Sequence, residues 1–487
     1  MREVLFVISL CFFSWTFAQE DAYNLGDLGA EGLPLEKIEF EKFNLQKEMH
    51  GIRITALDPE GPAQKAGLSV GMVIIGAGKA MFTKKSNPLH LLLLAMEATT
   101  AKKAPEPLTL IVTDGTKPQK IKVELSFSGG HSATCPKKCD RCSLLIKTGL
   151  DFLQSQQDGN GGIPSKMMNM QSRIVITSLT GLAFLGTGST YDSGDYAEPI
   201  QKCVTFIEAN IFSTNRIPGL NPTGEGSQVL QASSSMGRDN WNQENWALSY
   251  APIFLCELYK RSPRPEILAL LKQIGVKLLQ NQETSGGWGH GPGGPNALGY
   301  VELEVMSNWA LASLGMMKSV GVSLEDEKIN KAVQYVVECG TADGGMAYSK
   351  RPGQSGYGEV GRTGGATFGF QMLKLFRHPY YGPLTKYLKR NMEKTASGHV
   401  SPVMHYLAVG IACANVSPAY WKEFYELFRN EFMLCRGSDG SFHAVPTEET
   451  QQLKNNCDRG LGPNWATASY LILLQIPLGN YKVLTPK

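Results

Sequence analysis

The chain has 487 residues, 42% of them apolar and 19% charged, and its 47 basic and 44 acidic residues leave a formal net charge of +3. This composition suits a folded protein of two or more domains and excludes a disordered tail, a collagen-like fibre and a chain that tracks phosphates by bulk charge. Nucleic acid is not an expected partner.

Met1-Arg2-Glu3 leads into an apolar run from Val4 to Phe13 and then Ser14-Trp15-Thr16-Phe17-Ala18. A basic start, a run too short to cross a bilayer and small residues at the cleavage positions predict a signal peptide over residues 1–18 and a secreted, extracellular protein. No later stretch reaches the roughly 18 to 20 apolar residues of a membrane-spanning helix. Of ten cysteines, Cys11 leaves with the signal, and secretion permits disulfides among the rest. Cys203, Cys256, Cys339 and Cys413 sit in apolar helical patterns and read as buried thiols. Asn415-Val416-Ser417 is a glycosylation sequon, weakened by Pro418.

Residues 19–44 read as a linker. From Gln46 short β-type runs alternate with turns: Ile52-Arg53-Ile54, Val73-Ile74-Ile75, Leu108 to Val112 and Ile121 to Leu125. Between the first two lies Pro62-Ala63-Gln64-Lys65-Ala66-Gly67-Leu68, and Pro88 to Thr99 predicts a longer helix. Over residues 45–127 this pattern resembles bacterial-type PDZ domains. The resemblance implies a small α/β barrel or sandwich that accepts a protein peptide as an added strand, with His50, Gly51 and Ile52 in the groove. Met72 departs from the aspartate common in that fold, and a purely structural role stands beside peptide binding.

Residues 128–142 form a junction with His131, Cys135, Cys139 and Cys142 within twelve positions. Secretion favours a disulfide here, within the cluster or to Cys435 or Cys457. Three thiols and an imidazole are also a zinc donor set, which stands as the alternative.

From residue 143 to the end the apolar spacing becomes helical, and a unit of helix followed by a glycine turn recurs: Gln157 to Gly162, Gln282 to Trp288, Ala342 to Tyr348 and Gly437 to Phe442. With weaker turns at Gly226 and Gly398, the glycines fall at intervals of roughly 40 to 65 residues, one helical hairpin each. Apolar helices are predicted over Ile174–Leu185, Trp246–Tyr259, Met306–Met317, Ala366–Phe376, Val403–Ala414 and Trp465–Leu474. Buried inner and amphipathic outer helices that close on themselves make a large all-α (α/α) toroid. The segments resemble the terpene-cyclase and protein-prenyltransferase superfamily, which implies that the aromatics Trp288, Tyr348 and Phe442 pack between turns. With the PDZ-like module and the junction, the whole resembles an uncharacterised, mainly bacterial secreted family.

The chemistry of those superfamilies is not carried over. There is no Asp-x-Asp-Asp acid motif, Asp343, Cys339 and His405 do not follow the prenyltransferase zinc order, and a thioester stretch is absent. No cofactor is implied. The remaining candidates are polar residues in loops near one mouth of the ring: Glu244, Glu302, Glu304, Glu359 and His405 for acid–base work, with solvated side chains as the alternative for Glu302 and Glu304, and Trp241, Trp288, His290, Tyr300 and Arg362 for holding a ligand. Carboxylates among aromatics suit a sugar, with an acid and a base flanking it. The reading is a secreted protein that binds an extracellular glycan or protein segment in the toroid cavity. A polysaccharide lyase or hydrolase and a matrix protein are the alternatives.

Overall fold

The computed structural model describes residues 22–36, 38–43, 45, 49–132, 134–167, 169–213, 242–292, 302–350, 357–397, 401–444 and 457–485. The expected signal peptide, Trp241, Tyr300, Gly226 and Gly398 lie outside them.

The N-terminal domain is a seven-stranded antiparallel sheet built from β1 (Tyr23–Asn24), β2 (Ala30–Pro34), β3 (Ile52–Leu57), β4 (Val73–Ala77), β5 (Ala80–Met81), β6 (Leu108–Thr113) and β7 (Gln119–Val123). The order is β1-β2-β3-β4-β6-β7, with β5 on β4. Short helices α1 (Glu39–Lys42) and α2 (Pro62–Lys65) and the longer α3 (Pro88–Thr100) accompany it. Asn87 caps α3 by accepting from the His90 N–H, with Pro88 in the first turn where no donor is needed. Alternation buries Leu108, Leu110 and Val112 against Leu89, Leu92 and Leu93 of α3.

The segment expected as a linker is part of this sheet. Strand β2 pairs with β3 in the register Gly32↔Ile54 and Pro34↔Ile52, while Leu25 and Leu28 enter the core beside α3. Since β4 takes the other edge of β3, the chain itself fills both edges of the strand that starts at Ile52. His50 is turned inward, stacked edge-on against Phe40, with its N–H on the Phe82 carbonyl and its Nδ1 accepting from the Gly51 N–H. The Gly51 carbonyl accepts from Leu35.

The rest of the chain is helical. Six helices form the inner ring: α5 (Met170–Gly186), α7 (Glu244–Arg261), α9 (Glu304–Ser319), α11 (Val360–Met372), α13 (Pro402–Val416) and α16 (Pro463–Gln475). Each packs on the next, and α16 returns to α5, so the ring closes. Every residue of α5 from Ile174 to Gly186 is buried, as expected of a helix apolar on all sides. The outer helices are α4 (Asp140–Gln156), α6 (Ala197–Asn210), α8 (Pro265–Gln280), α10 (Asp326–Glu338), α12 (Tyr381–Asn391) and α14 (Pro418–Leu434). They bury one stripe only, in α10 Ile329, Ala332, Tyr335 and Val336. A short α15 (Cys457–Leu461) precedes α16. The predicted inner helix over Ala366–Phe376 is displaced: α11 starts earlier and ends at Met372, and Lys374 adopts a left-handed conformation (φ 58°).

One turn recurs at the foot of four outer helices. Asp158, Glu283, Thr341 and Gly437 each donate a backbone N–H to the carbonyl four residues on. The third residue after each of them is a glycine at φ between 88° and 96°. Added Cβ atoms at Gly161, Gly286 and Gly440 would lie 2.3, 2.3 and 2.6 Å from the carbonyls of Lys202, Lys331 and Thr148. These carbonyls belong to the neighbouring outer helices α6, α10 and α4. Glycine is therefore required twice over, by conformation and by contact. The last turn packs on the first outer helix, which is the ring closure seen locally. The repeated glutamine is structural: Gln157 and Gln282 each bridge the turn to the neighbouring hairpin.

The residue after each turn's glycines donates its N–H to a hydroxyl on the inner helix: Ile163 to Thr177, Trp288 to Ser307, Met346 to Thr363 and Phe442 to Thr467. Met346, not Tyr348, therefore occupies the position expected for the third aromatic. The described helices include none long and apolar enough to cross a membrane.

Candidate active site at the ring mouth

The inner helices all start at the same end, so their N-termini surround one mouth, where their aligned dipoles favour negative charge. Acidic residues recur there at Glu244, Glu304, Glu359 and Asp458.

Two of the expected catalytic residues meet. The Glu359 Oε1 lies 3.1 Å from His405 Nδ1, and its Oε2 lies 2.6 Å from Arg362 Nη1. Glu359 precedes α11, Arg362 is one turn into it and His405 is one turn into α13, so helix packing sets the triad. Gly361 makes this possible, because a Cβ there would lie 2.1 Å from the His405 ring. The Arg362 guanidinium also sits over the Tyr348 ring at 5.6 Å.

A fourth member is Glu304, one of the carboxylates the sequence offered, whose alternative reading as a solvated side chain the structure overturns. It is fully buried, Asn308 Nδ2 donates to its Oε1 at 2.6 Å, and the other Asn308 amide contact runs to the Arg362 carbonyl. Burial pushes its pKa well above the usual carboxylate range, and the charge of Glu359 adds to that against the opposing pull of Arg362. Burial thus favours the neutral form of Glu304, beside the ion-paired carboxylate of Glu359. The sequence signal for its burial is its place at the start of an otherwise apolar helix.

A second set surrounds Asp458, which is also buried. Its Oδ1 accepts from Trp465 Nε1 at 2.8 Å and from the Ser401 hydroxyl, and its Oδ2 accepts from the Val403 N–H at 3.0 Å. Between the two sets runs an aromatic floor contributed by four inner helices: Tyr250 stacks on Trp309 at 4.5 Å, and Trp465 and Phe368 extend it. All four rings are buried. The buried Tyr250 hydroxyl has no hydrogen-bond partner among the described residues, and burial with the nearby Asp458 charge raises its pKa well above that of an ordinary tyrosine.

A small pocket of about 70 Å³ opens between the mouth and the sheet domain, lined by Tyr23, Asn24, Lys166, His443, Asp458 and Arg459 among others. Burial lowers His443 to about 4, leaving it neutral. Arg436 pairs with Asp27 at 2.9 Å and Arg459 lies over Tyr23, so the sheet domain is docked beside the mouth.

The other expected residues stand apart. Glu244 is held by Lys277 at 3.5 Å and Asn281 at 3.3 Å, on the outer-helix side. Glu302 is half-buried near Tyr335. Trp288 is fully buried and donates to the Leu278 carbonyl, so it holds the ring together and offers no face to a ligand. His290 accepts from Trp246 Nε1 at 2.8 Å, and burial lowers it to about 4. Among the described residues, Tyr357 is an aromatic that is open to solvent, 90% exposed and two residues before Glu359.

At the junction the expected disulfide is not formed: Cys135, Cys139 and Cys142 carry free thiols. Cys203, Cys256, Cys339 and Cys413 are buried, as expected.

Residues 167–478 match the model of a family described as a domain of unknown function, DUF6288. No curated protein matches. Among solved structures, one titled as an unsaturated glucuronyl hydrolase specific for heparin is 10% identical, with a TM-score of 0.43, covering 70% of this chain and 96% of its own. A glycosyl hydrolase family 88 protein from Bacteroides vulgatus is 11% identical, with a TM-score of 0.30, over 70% of this chain and 99% of its own. A protein from Actinoplanes is 11% identical, with a TM-score of 0.40, over 68% and 98%. At these scores the likenesses assign this chain neither an activity nor a substrate.

Proposed function

The chain belongs to the DUF6288 family, a domain of unknown function, and from that premise we propose that it is a secreted enzyme that binds a sugar-like ligand at the ring mouth and works on it by acid–base catalysis. The observation that carries this reading is the pair of neighbouring carboxyl groups in opposed surroundings, Glu304 fully buried on Asn308, where burial favours the neutral form, and Glu359 paired with Arg362 and His405. Such a division is how two like groups take the roles of acid and base. Glu304 donates a proton to the leaving oxygen and Glu359 accepts one, from water in a hydrolase or from a carbon-bound hydrogen in a lyase. His405 and Arg362 hold Glu359 in place, and Tyr357 supplies a face for the ring of a sugar.

The sheet domain is read as a PDZ-like module whose acceptor edge is taken by the chain's own β2. Support comes from the antiparallel pairing of β2 with β3 and the packing of Leu25 and Leu28 against α3. Its role in this reading is to wall the pocket at Tyr23 and Asn24 rather than to capture a protein peptide.

A second reading, a binding protein without turnover, is favoured by Asp458, whose oxygens are all engaged by the protein's own donors. A thermal-shift screen against neutral and acidic oligosaccharides, followed by product analysis, separates the two. A ligand at about 100 times its dissociation constant adds about 2.7 kcal/mol. Binding without product under any condition would leave the binding reading alone.

A further inference from the structure

The junction between the domains brings four soft donors together. His131, Cys135, Cys139 and Cys142 place one imidazole nitrogen and three sulfurs within 4.8 Å of one another. Cys135 Sγ lies 3.5 Å from His131 Nδ1 and 3.0 Å from Cys142 Sγ. Around a zinc ion, bonds of about 2.3 Å to sulfur and about 2.0 Å to nitrogen set tetrahedral edges of roughly 3.3 to 3.8 Å. The donors need only small movements to reach that. A disulfide needs a bond of about 2.05 Å, and none of the three thiols is bonded.

The surroundings are those of a metal ligand set. The far nitrogen of His131, Nε2, lies 2.8 Å from the Glu97 carboxylate, and both side chains are largely shielded. A carboxylate behind a histidine fixes the ring and strengthens its donor nitrogen, the arrangement found behind zinc-bound histidines. The Tyr425 hydroxyl lies 3.3 Å from Cys135 Sγ and 3.5 Å from Cys142 Sγ, positioned to donate to a sulfur. Lys138 at φ 47° turns the chain between Cys135 and Cys139, and Cys142 lies in the first turn of α4.

We propose that His131, Cys135, Cys139 and Cys142 bind one structural zinc ion that fastens the sheet domain to the helical ring. The ion replaces the protons of three thiols, which leave to solvent, and no electron is transferred. With all four positions taken by protein, the site is closed and has no catalytic role. Glu97 belongs to α3 of the sheet domain, Cys142 to α4 and Tyr425 to α14, so the site lies where three parts meet, beside the hydrogen bond from Arg141 of α4 to Thr100 of α3. It also explains how a secreted chain keeps three neighbouring thiols from oxidising.

The test is metal analysis of the full-length protein secreted without chelators and without a metal-affinity tag. About one zinc per chain is expected, and exchange for cobalt should give the visible absorption of a tetrahedral cobalt thiolate. Cys142→Ser and His131→Ala should lower the zinc content and alter that spectrum, and Glu97→Gln should weaken zinc affinity roughly 10- to 100-fold with the fold intact. If Cys142→Ser does not fold, the metal content of the unaltered protein still decides. Metal-free protein with three titratable thiols, or a disulfide among these cysteines in a non-reducing peptide map, would overturn the proposal.

Discussion

Glu359 and His405 come from different inner helices, yet their side chains meet at 3.1 Å because Gly361 lets the His405 ring lie directly against α11. The proposed catalytic centre therefore depends on a missing side chain as much as on those present. In Gly361→Ala the new methyl must displace the imidazole. Overpacking of this kind costs about 1 to 3 kcal/mol, and turnover should fall further than the melting temperature alone explains. Denaturant unfolding and kinetics on the same preparation check this.

Glu304 gives a pH signature. Its folded-state pKa is raised, so above the ordinary carboxylate range the folded protein tends to hold a proton that the unfolded chain has lost. Stability then falls as pH rises from about 4.3 toward neutrality, since the folded state binds more protons. Glu304→Gln mimics the neutral acid and should remove that fall, gaining on the unaltered protein as pH rises. Melting temperatures of both proteins from pH 4 to 8 test it, and parallel curves would exclude a protonated Glu304.

Trp288 and Tyr357 separate structure from function. Trp288→Ala empties a fully buried site and leaves the Leu278 carbonyl unpaired, a loss of about 3 to 5 kcal/mol. Tyr357→Ala should leave stability within about 0.5 kcal/mol and weaken ligand binding. Calorimetric titration with any ligand found by the screen is the check.

Glu257 closes the chain. Its carboxylate accepts from the N–H groups of Lys482, Val483 and Leu484. Glu257→Ala strands all three donors and should cost about 3 kcal/mol or more. Faster amide exchange at residues 482–484 than in α16 would locate the damage.

The ring was legible in the sequence because closure repeats one turn, and each repeat needs glycine at the same place, with a glutamine beside it in two of the four. Helix boundaries were less so: Gly364, Gly365 and Gly369 weaken the periodic signal of α11, and its start at Val360 went unseen. The site was half legible. Glu359, Arg362 and His405 stood out as polar residues in apolar surroundings, and Glu304 stood among the candidate carboxylates without a sign of its burial, whereas Asp458 declares itself only through burial and long-range partners. Trp288 misled in the opposite direction, because an aromatic beside glycines reads equally as a sugar platform or as a wedge between turns. Strand β2 was hidden by its composition, Ala30-Glu31-Gly32-Leu33-Pro34, which forms a strand only because β3 offers it an edge.

The central claim is that the mouth performs acid–base chemistry, and the most direct measurement is product release from each sugar that stabilises the fold, comparing the unaltered protein with Glu359→Gln. The account predicts product from the unaltered protein, a loss of about 10²- to 10⁴-fold in the variant, and an unchanged stabilising shift in both. A sugar that binds both proteins and is left intact by both would contradict it.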